Sequence, residues 1–107
     1  YDKDLNFFRE NNVQVFKTRD LKQIIDSFKE DDICSILIEA GPTLANSFLE
    51  NNLVDEVITY TSNKKLGKNA ISWFKENNTI ENYGFNLESS YQIESDLKKV
   101  FKRNGKK

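Results

Sequence analysis

Residues 36–44 have the sequence Ile-Leu-Ile-Glu-Ala-Gly-Pro-Thr-Leu, in which an apolar run meets a Gly-Pro pair. Pro is favoured at the first position of a helix, because its missing N–H would be unpaired there anyway. We therefore predict a buried strand that ends near Glu39, a turn at Gly41, and a helix over residues 42–51. One stripe of that helix should face a core, and it consists of Leu44, Ala45, Phe48 and Leu49.

The residues before this stretch predict alternating helices and strands. We expect a helix over 4–11, a strand over 13–16, a helix over 20–30 capped by Thr18 or Asp20, and a strand over 33–38. The last of these is nearly continuous apolar sequence, which is typical of a strand covered on both faces in a parallel sheet. Strand, helix and strand in this order imply a right-handed crossover.

The residues after it predict a strand, a polar basic loop and a short amphipathic or irregular stretch, over 53–61, 63–68 and 70–78 respectively. Three polar pairs are predicted to end the helices or form turns: Asn11-Asn12, Asp31-Asp32 and Asn51-Asn52. No internal repeat and no second domain is predicted.

The C-terminal third predicts an antiparallel hairpin. Alternating apolar residues indicate strands over 85–90 and 91–102, with the turn near Ser89-Ser90. Residues 96–101 also fit a helical pattern, so that alternative stays open.

Composition excludes several function classes. The 107-residue chain has one Cys and no His, and its net charge is −1. This charge does not favour binding to nucleic acid or to an acidic membrane. No apolar run approaches the roughly 18 residues of a membrane helix. No metal site is predicted, and His-dependent catalysis is excluded. We expect Cys34 to be a small buried hydrophobe and the protein to be cytoplasmic.

The Gly-Pro turn lies where an open α/β sheet binds ligands, at the carboxyl end of a strand and before a helix. The predicted helix start offers the backbone N–H groups of Thr43, Leu44 and Ala45, which suit an anion such as phosphate. An ordinary strand-to-helix turn is the alternative. Glu39 either binds a ligand hydroxyl or lies exposed at the sheet edge.

Other charged residues carry weaker signals. Asp55-Glu56 is interpreted as solvated charge or a turn cap. The lysines of the basic loop, Lys64, Lys65 and Lys68, could meet a phosphate, but a solvated loop is the favoured interpretation.

Five pieces of sequence together resemble a known family. They are Ile38–Ala45, Ser47-Phe-Leu49, Leu53–Val57, Leu66-Gly67 and Asp96-Leu97. In this order they resemble the reductase domain of the bacterial riboflavin-biosynthesis deaminase–reductase, which is similar in fold to dihydrofolate reductase. The resemblance implies an α/β fold with a mixed sheet flanked by helices and a C-terminal antiparallel hairpin.

The resemblance also implies a reaction and a site. The reaction is NADPH-dependent reduction of 5-amino-6-(5-phosphoribosylamino)uracil to the ribitylamino product, by hydride transfer to C1 of the ribose. Glu39 would lie beside the substrate, while no catalytic residue is assigned. The cofactor would lie against the turn and helix start, formed by Ala40, Gly41, Pro42, Thr43 and Leu44. A homodimer through this domain, acting on a small molecule, is expected.

The sequence departs from the family pattern at two places. Ala40 stands where the family has Gly, and Ser62-Asn63-Lys64 replaces its usual Pro. The resemblance covers the C-terminal half of a reductase domain, so we treat residues 1–107 as a single domain or fragment, inactive by itself. The alternative is a non-catalytic oligomerisation or interaction module on the same fold, in which the C-terminal hairpin pairs across a two-fold axis.

Overall fold

The computed structural model describes residues 2–72 and 79–104. By their contacts these residues divide into two compact units, the first ending at Ile36 and the second beginning at Leu37. The first unit contains helices α1 and α2, and the second contains helix α3, a 3₁₀ helix and three strands. The bounds are α1 Asp2–Glu10, α2 Leu21–Glu30, α3 Pro42–Glu50, β1 Glu56–Thr61, the 3₁₀ helix Ile80–Tyr83, β2 Phe85–Ile93 and β3 Asp96–Arg103.

Helix α2 forms where its apolar stripe and its cap predict. The Asp20 side chain accepts a hydrogen bond from the Gln23 N–H at 3.2 Å, and the Thr18 hydroxyl accepts one from the Asp20 N–H at 3.0 Å. On the apolar stripe, the Phe28 ring contacts Phe16 edge-on at 5.5 Å between ring centroids. The helices predicted over 4–11 and 20–30 are therefore confirmed, with bounds shifted by one or two residues.

The helices α1, α2 and α3 end in the same motif. In each, the second residue of the predicted polar pair adopts the left-handed conformation: Asn12 at φ 59°, Asp32 at 60° and Asn52 at 57°. The apolar residue that follows donates its N–H back to a carbonyl of the last turn, as Val13 does to Phe8 at 2.8 Å. This is the Schellman arrangement, which satisfies carbonyls that a helix end leaves unpaired.

The strands predicted over 13–16 and 33–38 are wrong. Both segments lie outside any helix or strand, and no described segment pairs with them. A strand needs a neighbour for its backbone hydrogen bonds, so neither the buried strand before the Gly-Pro turn nor the parallel crossover forms within the described residues. Five of their apolar side chains are 40% to 80% exposed: Val13, Val15, Ile33, Ile36 and Leu37.

The prediction for Cys34 is also wrong. It was expected to be buried, but it is exposed, with Sγ 3.7 Å from the Asp32 carbonyl oxygen. No described strand pairs with the segment that carries it.

The second unit is organised around an antiparallel sheet with the strand order β1-β3-β2. Phe101, on the central strand, lies opposite Val57 on one side and Leu87 on the other. Helix α3 and the 3₁₀ helix contribute Leu49 and Ile80 to the core of this unit, which also contains Phe85 and Phe101.

The C-terminal hairpin is confirmed, but its turn is not where the sequence predicted it. The strands β2 and β3 turn at Glu94-Ser95, with Glu94 at φ 53°. Ser89-Ser90 instead lies within β2, beside a bulge between Leu87 and Ser89. The bulge interrupts the alternation of apolar residues, and in the sequence this interruption resembles a turn. The helical alternative for residues 96–101 is wrong, because they belong to β3.

Strand β1 begins at Glu56 and not at Leu53, because Leu53 completes the Schellman motif of α3 by donating to the Phe48 carbonyl at 3.0 Å. Arg103 fixes the intervening loop to the sheet. Its Nε donates to the Val54 carbonyl at 2.9 Å, and its guanidinium lies 4.7 Å from the centre of the Phe85 ring.

Between β1 and the 3₁₀ helix, residues 62–72 form no helix or strand, which confirms the predicted loop over 63–68. The stretch predicted over 70–78 is irregular as far as residue 72, and the rest lies outside the described residues. The 3₁₀ helix ends at Gly84 with φ 88°, a left-handed conformation that Gly adopts without a Cβ penalty.

Candidate functional site

The start of α3 is the candidate site, and its backbone leaves donors available. Gly41 precedes the helix with φ −68° and ψ 175°, and it has no side chain to cap the helix. The first intrahelical hydrogen bond runs from the Ala45 N–H to the Gly41 carbonyl at 3.1 Å. The N–H groups of Thr43 and Leu44 come before it and have no partner within the helix. Ala45, which we predicted to offer a free N–H, is therefore already paired.

The turn is open to solvent. Glu39, Gly41, Thr43 and Leu44 are exposed, and Ala40 and Pro42 are half-buried. A Cβ built on Gly41 meets nothing within 4 Å. An anion can therefore approach the backbone here, where the N–H groups and the helix dipole favour negative charge.

Glu39 and Leu44 are more exposed than the sequence predicted. Glu39 does not end a buried strand, so its carboxylate bears no burial cost and is available to an incoming hydroxyl. Leu44 is 48% exposed and does not belong to the buried stripe of α3, whereas Phe48 and Leu49 are buried as predicted.

The buried side of α3 contains a residue that was not predicted from the sequence. Asn46 is 4% exposed. Its Nδ2 donates to the Pro42 carbonyl at 2.7 Å, and its Oδ1 accepts from the Tyr83 hydroxyl at 3.3 Å. A polar residue among the apolar positions of α3 was the available signal, since a buried amide needs partners.

The other charged candidates do not join the turn. Glu56 forms an ion pair with Lys102 across β1 and β3, and this hydrogen bond raises the pKa of Lys102 above its ordinary value. The lysines at 64, 65 and 68 are exposed. Within residues 2–72 and 79–104, no hydrogen bond or ion pair links these lysines to residues 39–44.

In the described part of the chain, no three or more His, Cys, Asp and Glu residues come together in a group that could hold a metal ion. None of its helices is long and apolar enough to span a bilayer.

The sequence model of the family described as "RibD C-terminal domain" matches residues 2–99. The chain belongs to the RibD C-terminal domain family. Among curated proteins, it is 36% identical over 95 residues to the riboflavin biosynthesis protein RibD of Buchnera aphidicola, covering 82% of this chain and 24% of that protein. It is 45% identical over 51 residues to RibD of Escherichia coli, covering 48% of this chain and 14% of that protein.

Solved structures support the same family assignment. Two solved structures of Acinetobacter baumannii RibD, described as form 2 and form 1, match with TM-scores of 0.75 and 0.74 at 26% identity, over 92% and 94% of this chain. The α/β, dihydrofolate reductase-like fold class predicted from the sequence is thereby confirmed. The chain spans 29% of the length of each of those RibD chains.

Proposed function

We propose that this RibD C-terminal chain is part of a reductase of riboflavin biosynthesis. The reaction is NADPH-dependent reduction of 5-amino-6-(5-phosphoribosylamino)uracil to its ribitylamino product. The observation that carries the proposal is the family match over residues 2–99. NADPH, when bound, would supply the hydride that C1 of the ribose accepts.

The exposed turn at the start of α3 supports the assignment of a cofactor contact. Residues Ala40 to Leu44 would lie against the pyrophosphate, with the N–H groups of Thr43 and Leu44 as donors. A charge at a helix start gains about 0.3–2 kcal/mol from the dipole. The exposed carboxylate of Glu39 would accept a hydrogen bond from a substrate hydroxyl.

Titration of the full-length protein with NADPH tests this proposal. We expect saturable binding, and loss of NADPH absorbance only when the phosphoribosylamino-pyrimidine is also present. A parallel titration with NADH tests the choice of cofactor. A folded protein that binds neither nucleotide would refute the cofactor assignment.

Two parts of the proposal concern the setting of the reaction. We expect residues 1–107 alone to show no turnover, since the matched stretches cover 24% of one curated relative and 14% of the other. We also propose that the protein is cytoplasmic, because NADPH and a phosphorylated substrate do not cross membranes freely.

One face of the sheet favours the second candidate, an oligomerisation module that forms a homodimer. The strand register places Tyr60 and Tyr91 on either side of Lys98, whose Nζ lies 5.8 Å and 5.9 Å from their ring centroids. Both rings are more than half exposed, and Ile58 and Ile93 on the same face are 43% and 47% exposed. Exposed apolar surface of this kind marks interaction sites.

Sedimentation of the full-length protein separates the two candidates. A stable dimer that binds no nucleotide would favour the oligomerisation module alone, whereas a dimer that binds NADPH fits a dimeric reductase. Tyr60→Ser with Tyr91→Ser should weaken a dimer that uses this face.

A further inference from the structure

Asn46 is a polar residue on the buried side of α3. The other buried residues of that helix are Phe48 and Leu49, and Asn46 is 4% exposed. An amide removed from water is unfavourable unless it is hydrogen-bonded. Its position is therefore explained by what its two ends contact.

Those contacts connect two elements that are distant in sequence. Asn46 donates to the Pro42 carbonyl, in the first turn of α3, at 2.7 Å. It accepts from the hydroxyl of Tyr83, 37 residues further along the chain, at 3.3 Å. Tyr83 ends the 3₁₀ helix, which is fixed in the core through the buried Ile80. The first turn of α3 is thus tied to the core of its unit.

The contact between Asn46 and the Pro42 carbonyl differs from an ordinary helix cap, because it does not occupy the N–H groups at the helix start. A capping side chain accepts hydrogen bonds from the N–H groups at the second or third helical position. In α3 these are Thr43 and Leu44, the donors that an anion needs, and Gly41 has no side chain to occupy them. The Asn46 amide instead holds the first turn through a carbonyl, so both donors remain available.

We propose that Asn46 and Tyr83 are positioning residues for the cofactor-binding turn at residues 41–44. The inference rests on the proposed NADPH function and names the pair that orients its site. Neither residue touches the cofactor. Each acts through the Pro42 carbonyl, so its loss weakens cofactor binding more than it slows the chemical step.

The test uses the full-length protein and the variants Tyr83→Phe, Asn46→Ala and their combination. We expect each single variant to raise the KM for NADPH about two- to tenfold, the range of one ordinary hydrogen bond, with kcat within about twofold. The double variant should show no further rise, because both changes break one connection. Ile80→Val is the matched control, since it perturbs the same 3₁₀ helix without touching the connection.

The outcomes are separable. Failure of the unmodified protein to bind NADPH would overturn the proposed function. Normal binding by the unmodified protein, with Tyr83→Phe indistinguishable from Ile80→Val in KM, would overturn the positioning role alone. So would a fall in kcat without a change in KM. If Asn46→Ala folds poorly, Tyr83→Phe decides, because it removes only one hydroxyl.

Discussion

Gly41→Ala separates a role in the fold from a role in ligand binding. Gly41 has φ −68°, which Ala adopts freely, and an added Cβ meets nothing within 4 Å. Ala is less favourable than Gly before a helix by roughly 0.5–1 kcal/mol. This loss is offset by about 0.4–1 kcal/mol from a less flexible unfolded chain. We therefore expect the free energy of unfolding to change by less than about 0.5 kcal/mol.

Cofactor binding should respond much more strongly to the same change. In the proposed site the pyrophosphate would lie against the exposed backbone at Gly41, and a methyl group there would hold it away from the N–H donors of Thr43 and Leu44. Loss of one hydrogen bond to a charged group costs about 1.5–3 kcal/mol. This corresponds to a rise in the Kd for NADPH of about 10- to 150-fold.

The measurement is the Kd for NADPH by titration, paired with thermal unfolding of the same full-length samples. Gly67→Ala is the matched control: a Cβ there also meets nothing within 4 Å, and Gly67 lies in the exposed loop outside the site. Equal affinities for the two variants would refute the contact between the pyrophosphate and Gly41.

Three further predictions concern stability. Gly84→Ala should lower the free energy of unfolding by about 1–2 kcal/mol in thermal or urea denaturation, because Gly84 has φ 88°. Arg103→Lys should cost about 1–2 kcal/mol by the same assays, since Lys replaces neither the paired donors nor the ring contact. The hydrogen bond from Lys22 holds the pKa of Asp26 below its ordinary value of 3.8. The stabilisation from this pair is therefore present above that value and lost as the pH falls through the lowered pKa, and Asp26→Asn should abolish this pH dependence.

Local chemistry was sufficient to predict the α-helices α1, α2 and α3, but not the 3₁₀ helix Ile80–Tyr83. The stripe of α2 repeats with the helical period, and Pro42 fits the first helical position of α3. These signals depend on residues within one or two turns of each other. For the same reason the exposed turn at 41–44 could be anticipated as the start of a helix.

Strands were harder to predict because pairing is not a local property. Val13 and Ile33 begin apolar runs that favour extended backbone, yet each follows a left-handed residue and completes a helix end. An apolar residue after Asn-Asn or Asp-Asp is therefore ambiguous between a Schellman contact and the first residue of a strand. The Asn46–Tyr83 contact was equally hidden, since 37 residues separate its partners.

The bulge in β2 determines which apolar side chains share a surface. Phe85, Leu87, Tyr91 and Ile93 all have odd numbers, so an uninterrupted strand would direct all four the same way. The extra residue, Glu88, divides them: Leu87 lies opposite Phe101, whereas Tyr91 lies opposite Lys98 on the reverse face. Deleting Glu88 should leave every later residue of the hairpin facing as it does now. Inserting one residue between Ser90 and Tyr91 should exchange the two faces beyond that point, so tolerance to length changes in β2 is confined to the bulge.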